Sequence, residues 1–215
     1  MAHDEDGDGI PDVSDNCPTV QNADQLNLME IKNGEAADAV GDACDPDPIE
    51  TGDTIAFFAP FTTSAGFDKA GTVMDVAGES IALGCDSAVL AQVAVSSPTL
   101  AVVQLAWTGS LTNGNLASVT VGSNMVTCGM QICGTGTCVY ASTTSGGALL
   151  TGWGGTASDL LEIRFASTNH ECDVESAQST GTLANSYSFP PGKVGFATSG
   201  ATSTFVLHNL IVYGH

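Results

Sequence analysis

Short apolar stretches, separated by turns rich in glycine, serine and threonine, fill the chain from residue 54 onward. They are rich in Val, Ile, Thr, Phe and Tyr, which is typical of β-strands. Residues 86–95 fit either a helix or a strand. Many short strands over about 160 residues predict a mainly β fold, a sandwich or a barrel. The predicted strands are 54–58, 72–77, 100–108, 117–121, 137–142, 159–166, 193–198 and 204–213.

The first 53 residues lack this alternation and are rich in aspartate instead. They hold fifteen acidic residues and one base, Lys32, whereas the rest of the chain holds nine acidic residues and three bases. Composition and charge therefore change at the same place. We predict an acidic segment at residues 1–53 and a larger domain at residues 54–215.

The formal net charge of −20 excludes several classes of function. Binding to nucleic acid requires a surface of Lys and Arg that neutralises phosphates. Binding of an amphipathic helix to anionic lipid requires the same charge. No run approaches the roughly 18 apolar residues of a membrane span. The start, MAHDEDGDG, has neither a basic region nor an apolar stretch, so no signal peptide is predicted.

The acidic segment begins DEDGDGIPDVSD, in which carboxylates recur at the spacing of a calcium loop. Counted from Asp4, a glycine occupies position 6, where the chain turns sharply, and an apolar residue occupies position 7, whose carbonyl ligates. An acidic disordered tail would not require this spacing. Prolines at 11 and 18 exclude the flanking helices of an EF-hand. The predicted ligands are Asp4, Asp6, Asp8, Ile10 through its carbonyl, Asp12 and Asp15.

Two motifs follow this loop. Residues 15–25 read DNCPTVQNADQ, and residues 40–47 read VGDACDPD. Together with the loop they resemble the thrombospondin type 3 repeat over residues 4–47. The resemblance implies a chain with little regular secondary structure, which wraps around calcium ions. It also implies a disulfide between Cys17 and Cys44.

The resemblance further implies a second calcium site. Counting backward from Asp45 as position 12 gives Asp42, Val40 and Asp38 as ligands, and Asp47 follows. Residues 26–39, LNLMEIKNGEAADA, depart from the family pattern, so the remaining ligands are expected from Asn33, Glu35 or Glu30. Residues 26–32 are expected to form a short helical turn. The apolar residues of this turn are expected to dock on the main domain: Leu26, Leu28, Met29 and Ile31.

Seven cysteines are many for a reducing compartment, which predicts a secreted or surface-exposed protein. None has the C-x-x-C spacing of a zinc site. Five remain besides Cys17 and Cys44, so one is unpaired or bonds another chain. Candidate disulfides are Cys85–Cys172 and one pair among positions 128, 133 and 138.

The end of the chain, residues 190–214, reads PPGKVGFATSGATSTFVLHNLIVYG. It resembles the closing hairpin of concanavalin-like and laminin-G-like jelly-roll domains, with the turn at residues 198–203. The resemblance implies a jelly-roll β-sandwich. Thrombospondins carry a domain of this fold directly after their type 3 repeats, so the order of the two parts matches a known pairing.

One motif has the pattern of a catalytic site. Glu171, Asp173 and Glu175 read ExDxE, which on a strand places three carboxylates on one face. Laminarinase-type glycosidases use this arrangement. An acidic strand edge is the alternative, and we favour it because aromatic residues are only 6% and the motif lies near the end of the chain. No catalytic residue is therefore predicted.

These observations predict a secreted or cell-surface calcium-binding module that acts in adhesion or binding and is not an enzyme. Its expected partners are calcium ions together with a glycan or an extracellular protein. The alternatives are a lectin-like carbohydrate-binding domain, a structural subunit that assembles with copies of itself, and a glycoside hydrolase.

Overall fold

The computed structural model describes residues 2–76, 80–93, 100–109, 116–121, 126–133, 136–143, 146–153, 158–166, 170–174, 179–183, 192–200 and 205–215. The acidic segment contains a 3₁₀ turn, Asp12–Ser14, and one short helix, α1 (Met29–Asn33). All other regular elements are strands. They are β1 (Thr54–Ala59), β2 (Asp68–Ala70), β3 (Val73–Val76), β4 (Ser80–Leu83), β5 (Ala88–Val93), β6 (Leu100–Gly109), β7 (Leu116–Val121), β8 (Val126–Cys133), β9 (Gly136–Thr143), β10 (Gly146–Trp153), β11 (Ser158–Ala166), β12 (His170–Val174), β13 (Ser179–Leu183), β14 (Gly192–Ser199) and β15 (Phe205–Gly214).

Within these described ranges the strands form two antiparallel sheets. One sheet has the order β13-β12-β11-β6-β15-β4-β3, and β1 pairs with β15 beside β4. The other has the order β10-β9-β8-β7-β14-β5-β2. The prediction of a jelly-roll β-sandwich preceded by an irregular acidic segment is confirmed. Each strand predicted from the sequence coincides with an observed strand, and residues 86–95 contain a strand, β5, rather than a helix.

The predicted hairpin at the end of the chain is wrong. β14 pairs with β5 and β7 in one sheet, whereas β15 pairs with β1, β4 and β6 in the other. Part of the predicted turn, residues 201–204, lies outside the described residues. β14 and β15 therefore belong to different sheets, and each has neighbouring strands on both sides. The two sheets pack against each other here through Phe196 of β14 and Phe205 of β15, whose ring centroids are 5.7 Å apart.

The face that β15 presents changes along its length. Its first residues alternate between buried and half-buried, and every residue from 209 to 214 is buried. A β-bulge between Leu207 and Asn209 shifts the register against β6 and exchanges the two faces of the strand. After the bulge, Ile211 and Tyr213 share one face, and residues 210 and 212 share the other. Both faces are buried because the acidic segment covers one of them.

The acidic segment docks on this face through Val40. The Val40 side chain is fully buried and packs with Ile211, Tyr213 and Val102. A second contact joins the Asn209 side-chain amide to a carboxylate oxygen of Glu5 at 2.9 Å. The segment is therefore anchored by an apolar side chain, Val40, that lies between Asp38 and Asp42 in the sequence. β1 begins directly after it, at Thr54, and the division into two domains at that residue remains a prediction.

The short helix of the segment is confirmed, but its predicted docking is wrong. Leu26, Leu28, Met29 and Ile31 are exposed rather than packed on the sandwich. The only buried residue of α1 is Glu30, so this acidic side chain, and not the apolar ones, points toward the interior. Within the described residues, no helix has the length and apolar character needed to cross a membrane.

The disulfide between Cys17 and Cys44 is confirmed, with 5.6 Å between the Cα atoms. It closes a loop of 27 residues, which stabilises the segment by about 3–4 kcal/mol on a chain-entropy basis. The candidate Cys85–Cys172 disulfide is wrong, since Cys85 is an exposed free thiol. Cys85 lies at the turn before β5, whereas Cys172 is on β12, near the far edge of the other sheet.

We expect the anchor to account for much of the segment's stability. Replacing Val40→Ala in saturating calcium should lower the free energy of unfolding by about 2 kcal/mol, because a fully buried side chain is truncated. The matched control is Val13→Ala in the same segment, where the valine is 93% exposed. Its change should stay below about 0.5 kcal/mol. Chemical unfolding measures both, and equal losses would show that Val40 is not an anchor.

Candidate metal centre

The first acidic loop is shaped by carboxylates that accept hydrogen bonds from nearby amides. The Asp4 carboxylate accepts from the amides of Gly7 and Gly9, at 2.9 and 3.0 Å. Asp6 and Asp8 each accept from the amide two residues ahead. Gly9 has φ of +96°, a left-handed conformation that a side chain would disfavour. The glycine at position 6 therefore makes the turn that the spacing predicted.

This turn brings three carboxylates together. One oxygen from each of Asp4, Asp6 and Asp8 lies within 4.8 Å of the others. Asp6 Oδ2 is buried and has no hydrogen-bond partner. Burial raises the pKa of Asp6, and the negative charges of Asp8, Asp15 and Asp4 raise it further. A buried carboxylate oxygen without a donor, close to two other carboxylates, is suited to a cation, and oxygen is the ligand that calcium prefers.

Asp15 is held beside this group by the motif that follows the loop. The Gln25 side chain accepts from the amide of Asn16 at 3.0 Å and donates to Asp15 Oδ1 at 2.8 Å. Cys17 also donates its amide to Asp15 Oδ1. Asp15 Oδ2 is left buried and without a partner. The glutamine thus orients a carboxylate whose second oxygen remains available to an ion.

The other two predicted ligands of the first site have different surroundings. Asp12 accepts from the Glu5 amide at 2.9 Å, and its other oxygen lies 2.6 Å from His3 Nδ1. It is not a member of the three-carboxylate group. Ile10 donates its amide to Asp8 Oδ1. The roles of Asp12 and of the Ile10 carbonyl as ligands remain predictions.

A second acidic group lies where the segment meets the sandwich. Oxygens of Glu30, Asp38 and Asp45 lie within 4.8 Å of one another. Burial raises the pKa of Asp45 to about 7, and the adjacent Asp53 carboxyl contributes to that increase. Burial likewise raises the pKa of Glu30, which is fully buried on α1. Asp53 is 1% exposed and stands immediately before β1.

Three predicted ligands of the second site lie outside this group. Asp42 Oδ1 accepts from the amides of Leu28 and Met29, at 2.8 and 3.0 Å, and so caps the start of α1. Asp47 donates its amide to Asp45. The Val40 side chain is the apolar anchor, and its amide bonds Asp38 Oδ1. Metal binding by Asp42, Asp47 and the Val40 carbonyl remains a prediction.

Comparison with protein families identifies the first loop. The family model of the thrombospondin type 3 repeat matches residues 2–25. The matched part contains the Asp4–Asp15 loop and ends at Gln25, the residue that orients Asp15. Repeats of this family bind calcium, and the carboxylates of this loop could hold a metal ion. Resemblance to the repeat beyond residue 25 remains a prediction, and no curated protein sequence matches the chain.

Solved structures resemble the sandwich at low sequence identity. The CBM2 module of Lactobacillus casei BL23 phage J-1 evolved Dit has a TM-score of 0.61 and 6% identity, over 75% of this chain and 96% of that one. Bacillus licheniformis β-glucanase has a TM-score of 0.54 and 12% identity, over 75% and 99%. Domain 4 of the Geobacillus stearothermophilus arabinanase AbnA, in complex with arabinotriose, has 0.51 and 11%, over 75% and 93%. These similarities establish the jelly-roll fold.

Sequence reasoning missed two residues that adjoin the second group. The sequence predicts Asp53 only as the last residue of the segment and Asn27 only as part of a helical turn, although Asp53 lies beside Asp45. The Asn27 side chain donates to the Asp38 carbonyl at 3.0 Å, which leaves its own Oδ1 buried and without a partner. Glu30 was one of three alternatives. Its position inside an otherwise apolar run, LNLMEI, was the available signal.

The motif ExDxE is divided between described and undescribed residues. Glu171 and Asp173 lie on β12, which pairs with β11 and β13. Glu171 stands opposite Arg164 in the register of β11. Glu175 lies outside the described residues.

We expect Asp6→Asn to weaken calcium binding at the first loop by about tenfold or more, because an unpartnered carboxylate oxygen is replaced by an amide nitrogen that repels the ion. Asp24→Asn serves as the control, since Asp24 is exposed and only supports a local turn. Calorimetric titration with calcium measures both affinities. Equal losses would show that the loop does not use Asp6 as a ligand.

Proposed function

We propose that the protein is a secreted or cell-surface binding module whose acidic segment is held folded by calcium. The observation that carries this proposal is the first loop. Asp6 Oδ2 and Asp15 Oδ2 are buried, lack hydrogen-bond donors and belong to a region matched by a calcium-binding repeat family. A structural disulfide supports an oxidising location.

The acidic segment needs such an ion because it has almost no core of its own. Among its described residues, the buried hydrophobic ones are Cys17 and Val40. Fifteen carboxylates against one lysine repel each other. Calcium neutralises part of that charge and couples its binding free energy to folding. The calcium-loaded segment then rests on β15 and supports that face of the sandwich.

A glycan is the ligand that we favour for the sandwich. A domain of the same fold, from AbnA, was solved in complex with arabinotriose, and another neighbour is a CBM2 module. A fold hosts many functions, so this likeness supports a class of ligand and does not locate a site. An extracellular protein is the second candidate, in keeping with adhesion.

We also propose that the module has no catalytic activity. Retaining glycosidases need two carboxyl groups about 5–5.5 Å apart across a cleft that holds a sugar. The sequence around ExDxE, STNHECDVESAQSTG, provides no aromatic side chain on which a sugar ring could stack. Binding without turnover is therefore the expected behaviour.

Removal of calcium should unfold the acidic segment before the sandwich. Limited proteolysis in chelator should cut within residues 4–47, because the carboxylates then repel one another, while the fragment from residue 54 onward survives. The same digestion in calcium should leave the segment intact. Mass spectrometry of the fragments locates the cuts. Identical patterns in the two conditions would contradict the proposal.

Glycan binding and catalysis can be separated with one set of polysaccharides. A glycan array should show binding by the unmodified protein, while reducing-sugar assays on β-glucan, galactan and xylan should show no release. Glu171→Gln and Glu175→Gln should leave both results unchanged. Sugar release that either substitution abolishes would identify the protein as a glycoside hydrolase.

A further inference from the structure

The second acidic group contains more oxygens without donors than the first. Both Glu30 carboxylate oxygens, Asp45 Oδ2 and Asn27 Oδ1 are buried and have no hydrogen-bond partner. The Glu30 side chain is fully buried and directed into the group, since an oxygen of it lies within 4.8 Å of oxygens of Asp38 and Asp45. Neither oxygen of the adjacent Asp53, at 1% exposure, accepts a hydrogen bond, and Oδ1 faces a histidine ring.

This arrangement is costly for a protein without a bound cation. A buried carboxylate is normally compensated by hydrogen bonds or by an opposite charge. Among the described residues, no lysine or arginine forms an ion pair with this group. A histidine lies beside the adjacent Asp53, with 3.3 Å between His215 Nδ1 and Asp53 Oδ1. Three carboxylates whose oxygens lie within 4.8 Å of one another, with the Asp53 carboxyl adjacent to Asp45, therefore favour a divalent cation.

The ligand chemistry favours calcium over other metals. All candidate ligand atoms are oxygens of carboxylates and one amide, which suit hard cations. Calcium accepts six to eight such oxygens, whereas magnesium keeps several waters and is seldom enclosed by protein ligands alone. Two oxygens of Glu30 and one each from Asp38 and Asp45 supply four ligands. Unpartnered oxygens of the neighbouring Asn27 and Asp53 would raise the number to six.

The ligands come from both sides of the junction. Glu30 lies on α1, and Asp38 and Asp45 flank the Val40 anchor. Asp53 belongs to the residues that lead into β1, and its backbone carbonyl accepts from Ala39 at 3.4 Å. Asp38 Oδ2 accepts from the amides of Gly52 and Asp53, at 3.1 and 2.7 Å. An ion here would join the segment to the start of the sandwich.

We propose that Asn27, Glu30, Asp38, Asp45 and Asp53 bind one calcium ion that fastens the acidic segment to the β-sandwich. The site lies outside the family match at residues 2–25 and takes Glu30 and Asp53 in place of the first half of a second aspartate loop. It rests on the proposed function in that the segment uses calcium, but its ligands are distinct from those of the first loop.

Glu30→Gln tests the site, with Glu50→Gln as the matched control on an exposed residue of the same segment. Calorimetric titration of the full chain with calcium should show one fewer bound ion in Glu30→Gln than in the unmodified protein and in Glu50→Gln. Asp53→Asn should lose the same ion. Asp6→Asn should keep it and weaken the other, so that failure of this site is distinguishable from failure of the first loop.

Thermal unfolding provides a readout that a packing defect cannot reproduce. In calcium, Glu30→Gln should melt below the unmodified protein. In chelator it should melt at the same temperature or higher, because the substitution removes one charge from a repelling group. The inference is overturned if Glu30→Gln binds the same number of ions with the same affinity. It is also overturned if the variant melts lower by equal amounts in both conditions.

Discussion

The acidic segment depends on how its carboxylates are neutralised. Their mutual repulsion grows as they leave water, and the segment places oxygens of three carboxylates within 4.8 Å of one another at two separate places. Apolar burial cannot offset this, because the segment has few buried hydrophobic side chains. Its described contacts are instead one disulfide and the insertion of Val40 beside Tyr213, and its two acidic groups could each hold a metal ion. These interactions stabilise a segment whose composition provides too few apolar side chains for a hydrophobic core.

Both acidic groups use the same device to keep their geometry. Backbone amides bond one oxygen of an aspartate and leave the other without a donor, as at Asp6 and at Asp45. The first oxygen fixes the orientation of the side chain, so the second is already directed when an ion arrives. Preorganisation of this kind increases affinity because less order has to be created on binding. The same geometry holds negatively charged carboxylates close together, so it lowers the stability of the segment when no ion is bound.

The parts of this structure that the sequence predicted are those that depend on local pattern. The spacing of Asp4, Asp6 and Asp8 brings them together within one turn, and apolar alternation located the strands. Asp53 could not be predicted as a neighbour of Asp45, because no local pattern determines the path of the chain between them. The turn at residues 198–203 was misassigned for a related reason. Glycine and serine show that the chain changes direction, but they do not determine which sheet receives the next strand.

The position of Val40 has a consequence for the order of folding. Two of its partners, Ile211 and Tyr213, lie on the last strand, and that strand is held in place by pairs such as Thr54 with Gly214. Contacts between residues so distant in sequence form late, because the chain between them must first be closed into a loop. The Asp4–Asp15 loop needs only its own neighbours. A newly made chain can therefore close its first acidic loop early, while the surface that receives Val40 exists only after the final strand has entered its sheet.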